Sequence, residues 1–124
     1  MNAEEALSIT GKASVEEAWE ELAGRTASPL ITLGESGVFA GRHRTPGLSV
    51  EVRDTTGAGD TFAGGFMGYL SKAKKIDAAS IKRALAYGTV AASFNVEGFG
   101  LERTARLTLK DLNSRLKKFP KMFI

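Results

Sequence analysis

The most informative stretch of this chain is Asp54-Thr-Thr-Gly-Ala-Gly-Asp-Thr-Phe-Ala-Gly-Gly-Phe66. Five of the chain's 14 glycines lie between Gly57 and Gly68. An alternating segment, Leu48–Arg53, precedes the stretch and predicts a strand, whereas an apolar stripe that continues to about Ala73 predicts a helix. The glycines therefore form a tight turn that leads from a strand into a helix.

Two common phosphate-binding motifs do not fit this turn. A P-loop needs a lysine directly after its second glycine, and no lysine occurs between Arg53 and Lys72. A dinucleotide-binding fingerprint needs a third glycine where this chain has Phe62. The turn therefore needs another chemical explanation.

The turn nevertheless has the properties of an anion site. Gly57 and Gly59 can adopt positive φ, which exposes the backbone N–H groups of residues 57–60 at a helix N-terminus. Asp60, in the first helical turn, can accept a proton from a hydroxyl that attacks a bound phosphoryl group. The alternative is purely structural: Asp60 caps the helix and Gly-Ala-Gly only turns the chain.

The rest of the chain predicts a small α/β unit. Helices are expected near residues 3–9, ending near Gly11, from the Ser14–Glu17 capping box to about Gly24, from Ala78 (N-cap Asp77) to about 94, and from 107 or 108 to about 119. Pro29–Leu33 predicts a buried strand, and residues 37–43 can pair with it as a hairpin. Trp19 falls on the apolar face of the second helix, so we expect it in the core.

Composition removes several other functions. The chain has no cysteine, which excludes disulfides, thiolate metal sites and a cysteine nucleophile. Its one histidine, His43, lies beside Arg42 and Arg44 and is expected at the surface. The start of the chain has no signal-peptide pattern, and no apolar run is long enough to span a bilayer, so we expect a cytoplasmic protein.

Charge is distributed unevenly along the chain. Residues 1–22 carry six acids and one base, whereas residues 101–124 carry seven bases and two acids. A basic tail raises the question of nucleic-acid binding. Leu112, Leu116 and Phe119 recur there at helical spacing, however, which favours an amphipathic helix with a solvated basic face.

Three segments together resemble one enzyme family. Residues 54–66 are similar to the C-terminal signature of the PfkB-type, ribokinase-like carbohydrate kinases. Asn2-Ala-Glu-Glu5 resembles the family's Asn-x-x-Glu motif, and Ile31-Thr-Leu-Gly-Glu-Ser-Gly-Val38 resembles its Thr-Leu-Gly-x-x-Gly segment. Residues 91–100 resemble the segment that closes the nucleotide and cation site.

The resemblance implies a role for each matching residue. Gly57, Ala58 and Gly59 would form the anion hole for the transferred phosphate, with Asp60 as catalytic base. Asn2 and Glu5 would act on magnesium and phosphates, Glu5 partly through water. Thr32, Gly34, Gly37, Tyr87 and Gly88 would line the nucleotide, and Asp54 and Thr56 would hold a monovalent cation, usually potassium. ATP and Mg²⁺, and in many members K⁺, are the implied cofactors.

The resemblance covers only the C-terminal half of the family's fold. It implies one domain, residues 1–124, with the architecture of that half: a Rossmann-like three-layer α/β fold with short strands and about five helices. We expect the family's Gly-Gly sugar-binding motif and β-rich lid to be missing, and an exposed sheet edge to favour homo-oligomers or a partner chain. Two functions remain open: the catalytic half of an ATP-dependent sugar or nucleoside kinase, and a non-catalytic nucleotide-binding or interaction module.

Overall fold

A computed structural model describes residues 1–41 and 43–120, and Arg42, expected beside the surface histidine, lies outside the described residues. The chain divides into two compact units, Met1–Gly47 and a second unit that starts at Leu48. The described residues contain five α-helices and a three-stranded sheet, which confirms the α/β class with short strands. One domain over residues 1–124 stays a prediction.

The first unit begins with two capped helices. Asn2 caps α1 (Ala3–Thr10), which ends at Gly11 in the left-handed conformation, and Ser14 caps α2 (Val15–Ala23). Ala6, Ala18, Leu22 and Ile31 form a buried cluster, and Trp19 packs against it. The Trp19 indole N–H donates to the Pro29 carbonyl at 2.8 Å. The predicted core position of Trp19 is therefore confirmed.

The sheet is an antiparallel meander of short strands. β1 (Ile31–Thr32) pairs with β2 (Val38–Ala40), and β2 pairs with β3 (His43–Thr45). The hairpin prediction is confirmed, but its outer strand is shorter than expected because Gly41 turns the chain (φ 65°). His43 consequently begins β3, where it is half-buried and not fully exposed at the surface as expected.

The second unit is built around two long helices. α3 (Ala58–Leu70) packs on α4 (Ala78–Asn95), whose N-cap is Asp77 as predicted. At Gly65 an added Cβ would lie 2.9 Å from the Ala91 Cβ and 2.9 Å from the Tyr87 carbonyl oxygen. This glycine therefore permits the close approach of the two helices.

The last helix, α5 (Leu109–Leu116), completes the second core. It is capped by Thr108, and Leu112, Leu116 and Phe119 pack with Phe94 as their spacing predicts. The basic face is not entirely solvated, because Arg115 lies over the Phe94 ring (3.4 Å from the centroid) and pairs with Glu97.

The predicted strand over Leu48–Arg53 is absent from the described structure. Among the described residues this segment joins no ladder of strands; instead, the N–H groups of Arg53 and Asp54 donate to the Val96 carbonyl at 2.7 and 3.2 Å. Alternating polarity indicates an extended, half-buried segment, but a strand also needs a hydrogen-bonding neighbour, which a one-segment pattern cannot reveal.

Candidate active site

Backbone N–H donors are exposed where the glycine turn meets the start of α3. Gly57 adopts the left-handed conformation (φ 79°) and is the N-cap of α3. Within the part of the chain that the structure describes, the N–H groups of Gly57, Gly59 and Asp60 have no acceptor. Such donors at a helix N-terminus attract anions, because the helix dipole adds partial positive charge there.

Two details differ from the sequence-based expectation for residues 57–60. The Ala58 N–H donates to the Thr55 carbonyl at 3.1 Å, so three N–H groups are free where four were expected. Gly59 has no positive φ, because it already lies in the first turn of α3. A single left-handed residue, Gly57, is enough to start the helix in this direction.

Asp60 carries its carboxylate on the first turn of α3. The side chain is exposed, and no described residue hydrogen-bonds to it or forms an ion pair with it. Asp60 therefore does not cap its own helix, since the N-cap is Gly57, which has no side chain to do so. The carboxylate is free to accept a proton beside the three N–H groups.

Asp54 and Thr56 organise the chain before the turn. The two Asp54 carboxylate oxygens accept the backbone N–H groups of Thr56 at 3.0 Å and of Gly100 at 3.1 Å. These two backbone hydrogen bonds, that from Thr56 foremost, hold the pKa of the Asp54 carboxyl below its usual value. Asp54 therefore stays ionised and ties the turn to the segment after α4.

Asn95 is a site residue that sequence reasoning did not single out. It is fully buried, and its side-chain N–H donates to the Thr56 carbonyl at 2.8 Å. The one available signal was a strongly polar side chain at the end of the alanine-rich helix α4. Buried amides need hydrogen-bond partners, but the Thr56 carbonyl lies 39 residues away in the chain.

Tyr87 and Gly88 occupy different surroundings in α4. The Tyr87 ring stacks on that of Tyr69 (centroids 4.9 Å apart), and its hydroxyl donates to the Asn113 side chain at 2.6 Å. Gly88 is buried, and a Cβ added there would lie 2.8 Å from the Phe62 ring. The structure explains this glycine by helix packing, and its contact with a nucleotide stays a prediction.

The remaining predicted site residues belong to the first unit. Asn2 and Glu5 form a reciprocal capping box: the Glu5 N–H donates to Asn2 Oδ1 at 2.8 Å, and the Asn2 N–H donates to Glu5 Oε2 at 2.9 Å. Asn2 also forms a parallel bridge with Thr32. The structure thus brings these three residues together at the start of α1.

Gly34 and Gly37 shape the turn between β1 and β2. Both have positive φ, 58° and 95°, and the Leu33 N–H donates to the Gly37 carbonyl at 2.8 Å. A Cβ on Gly37 would lie 1.8 Å from the Thr45 carbonyl oxygen, so only glycine fits. The predicted site residues therefore form two local groups, one within each compact unit.

Solved structures of ribokinase-like kinases share this fold. Aminoimidazole riboside kinase from Salmonella enterica, complexed with aminoimidazole riboside and an ATP analog, aligns with 93% of this chain and 40% of its own, at a TM-score of 0.82 and 29% identity. A fructokinase double mutant from Vibrio cholerae O395, in fructose, ADP and potassium ion bound form, aligns with 95% and 38%, at a TM-score of 0.76 and 27% identity.

Sequence comparison defines the family. Residues 1–106 match the pfkB family carbohydrate kinases, and the chain belongs to this family. The ribokinase of Haemophilus influenzae is 37% identical over 114 residues, which span 82% of this chain and 35% of that protein. The chain thus spans about a third of the length of the curated relatives it matches. Among the described residues, no helix has the length and apolar character needed to cross a membrane.

Proposed function

We propose that this chain forms the nucleotide-binding and phosphoryl-transfer part of an ATP-dependent kinase that acts on a hydroxyl of a sugar or nucleoside. The observation that carries the proposal is the start of α3, where three free N–H groups lie beside the exposed Asp60 carboxylate. Phosphoryl transfer needs mainly positioning, charge stabilisation and a base for the attacking hydroxyl. The family relationship and the nucleotide-bound neighbours support ATP as the donor.

In this proposal each part of the turn has one task. The N–H groups of Gly57, Gly59 and Asp60 bind and orient the phosphoryl oxygens as negative charge shifts between them. The Asp60 carboxylate accepts the proton of the acceptor hydroxyl while that oxygen forms its bond to the γ-phosphorus of ATP. The bond between the γ-phosphorus and the bridging oxygen breaks in the same transfer, and ADP leaves with that oxygen. Mg²⁺ bound together with ATP would neutralise part of the negative charge of the phosphates. Glu5 would hold this ion through a water molecule.

The oxygens of Asp54 and Thr56 suit a monovalent cation. Asp54 is ionised, and each of its oxygens accepts one N–H group, which leaves lone pairs free. The Thr56 carbonyl also accepts a single hydrogen bond. We therefore propose K⁺ as the ion held there, in line with the potassium-bound fructokinase.

Two further parts of the proposal concern assembly and location. β3 is an edge strand of the described sheet, and exposed apolar side chains include Met67 and Ile76. Such edges and side chains favour association with a second copy of the chain, which sedimentation analysis would detect. An ATP-dependent reaction on a small metabolite also favours the cytoplasm.

The test separates transfer from binding. Asp60→Asn should lower ATP-dependent phosphorylation of a sugar and nucleoside panel by about 10²- to 10⁴-fold, while Mg-ADP affinity stays equal or increases. Glu16→Gln, which removes an equally exposed carboxylate from the first turn of α2, should change neither quantity. Equal turnover by Asp60→Asn and the unaltered chain would rule out the base assignment.

The alternative function makes a different prediction in the same assay. A non-catalytic module derived from the family would bind Mg-ADP but transfer no phosphate to any acceptor, with or without Asp60. Detectable transfer that depends on Asp60 would exclude it.

A further inference from the structure

We propose that Asn95 is a positioning residue that holds the anion-binding turn in its active geometry. The proposal rests on the proposed function of that turn. Asn95 is the last residue of α4 and is fully buried. Its side chain supplies none of the N–H groups proposed to bind phosphate. Asn95 can therefore affect phosphate binding only by positioning the residues to which it is hydrogen-bonded.

Its carboxamide contacts the turn on both sides of the free N–H groups. The side-chain N–H donates to the Thr56 carbonyl at 2.8 Å, immediately before Gly57. The Oδ1 atom accepts the Thr61 hydroxyl at 2.8 Å, one residue after Asp60. The donors at positions 57, 59 and 60 therefore lie between two points that are attached to one buried side chain.

The same oxygen connects the turn to a second part of the unit. Asn95 Oδ1 also accepts the Thr104 hydroxyl at 3.2 Å, from the short 3₁₀ helix Thr104–Arg106. The backbone is held nearby as well, because the Val96 carbonyl accepts the N–H groups of Arg53 and Asp54. Asn95 thus lies where the end of α4 meets the start of α3.

Only an amide can make this set of hydrogen bonds. The Thr56 carbonyl can only accept, so it must face the NH₂ group, which leaves Oδ1 for the two hydroxyls. An aspartate has the same shape but places an oxygen against the Thr56 carbonyl. An alanine removes all three hydrogen bonds, those to the Thr56 carbonyl and to the hydroxyls of Thr61 and Thr104. Buried polar groups that lose their partner are costly, so the turn would shift to find new ones.

A residue that only stabilises α4 would behave differently from a positioning residue. Loss of stability alone lowers the population of folded protein but leaves the affinity of the folded molecules unchanged. Loss of positioning lowers the affinity of molecules that remain folded. Mg-ADP affinity, measured well below the melting temperature of each variant, therefore separates the two roles.

The experiment compares Asn95→Asp with Val90→Ala, which creates a cavity in the buried face of the same helix. We expect Asn95→Asp to lose at least about tenfold in Mg-ADP affinity, a factor equivalent to about 1.4 kcal/mol. The Mg-ADP affinity of Val90→Ala should stay within about twofold of that of the unaltered chain, even if its melting temperature falls as far as that of Asn95→Asp. Normal affinity in Asn95→Asp, or an equal loss in both variants at equal stability, would overturn the proposal.

A milder pair keeps the test valid if Asn95→Asp does not fold. Thr61→Val and Thr104→Val each remove one hydroxyl donor to the same oxygen with little change of shape. Only Thr61 belongs to the first turn of α3, directly after Asp60, so we expect Thr61→Val to weaken Mg-ADP binding and Thr104→Val to leave the affinity within about twofold of that of the unaltered chain. Equal effects of the two substitutions would count against positioning of the turn.

Amide hydrogen exchange gives a result that does not depend on nucleotide. The N–H groups of Ala58 and Thr61 are hydrogen-bonded within the turn, and both should exchange at least about tenfold faster in Asn95→Asp than in Val90→Ala. Unchanged exchange would refute the role of Asn95. If the unaltered chain binds no Mg-ADP, the proposed function fails, and the exchange rates alone decide the role of Asn95.

Discussion

Two neighbouring glycines in α3 allow the packing of α3 on α4 to be measured with identical substitutions. At Gly64 an added Cβ would meet no atom within 4 Å. At Gly65 it would lie 2.9 Å from the Ala91 Cβ, 2.9 Å from the Tyr87 carbonyl oxygen and 3.0 Å from the Gly88 Cα. Two of these three atoms belong to the backbone, so the helices themselves must move to accept it.

The expected magnitudes follow from these contacts. Both substitutions gain the helix propensity of alanine over glycine, up to about 1 kcal/mol. Gly65→Ala also carries an overpacking cost of about 1–3 kcal/mol. The propensity gain cancels in the comparison, so the free energy of unfolding of Gly64→Ala should exceed that of Gly65→Ala by about 1–3 kcal/mol.

Urea unfolding, monitored by circular dichroism, measures this difference. We expect Gly64→Ala to be more stable than the unaltered chain and Gly65→Ala to be the least stable of the three. Gly88→Ala should resemble Gly65→Ala, because its Cβ would lie 2.8 Å from both the Phe62 ring and the Phe62 carbonyl oxygen. Equal stability of Gly64→Ala and Gly65→Ala would refute the close approach of the two helices.

Three further predictions concern the turn and its surroundings. Gly57→Ala and Gly11→Ala each place alanine in the left-handed region, at φ 79° and 68°. Each should lower the free energy of unfolding, measured in urea, by about 1–2 kcal/mol. Only Gly57→Ala should also weaken Mg-ADP binding. K⁺ at 100 times its dissociation constant should add about 2.7 kcal/mol of stability relative to tetramethylammonium at equal ionic strength, and Asp54→Ala should abolish this gain in thermal melts. The Ser80 backbone N–H and Lys75 lower the pKa of Asp77 from 3.8 to about 2. The stabilising effect of the ionised Asp77 is therefore present above pH 3.8 and is lost as the pH falls towards 2. The free energies of unfolding of Asp77→Asn and the unaltered chain should converge over that pH range.

Local signals in the sequence were sufficient to predict where the helices lie. The Asn2 and Asp77 caps, the glycine at position 11 and the apolar spacing of α5 act within one or two helical turns, so their effect can be seen without knowledge of the fold. The left-handed Gly57 and the donors after it could be predicted for the same reason. These features depend on backbone conformation and on neighbouring residues only.

Contacts between distant segments could not be predicted in this way. Leu48–Arg53 alternates like a strand but has no strand partner among the described residues. Asn95 and Thr56 are 39 residues apart, and nothing in either local pattern indicates that one donates to the other. The family resemblance predicts that Gly88 lines a nucleotide, but the sequence gives no sign that this glycine packs against the Phe62 ring of the neighbouring helix.

The division between the two sources of information has one physical basis. Short-range rules of capping, periodicity and glycine conformation operate on consecutive residues, and they were enough to place the turn, its free N–H groups and Asp60 at the start of a helix. Packing and buried hydrogen bonds depend on which segments meet in space. Only the tertiary structure could therefore reveal that Asn95 supports the turn, and that Gly65 and Gly88 set the distance between α3 and α4.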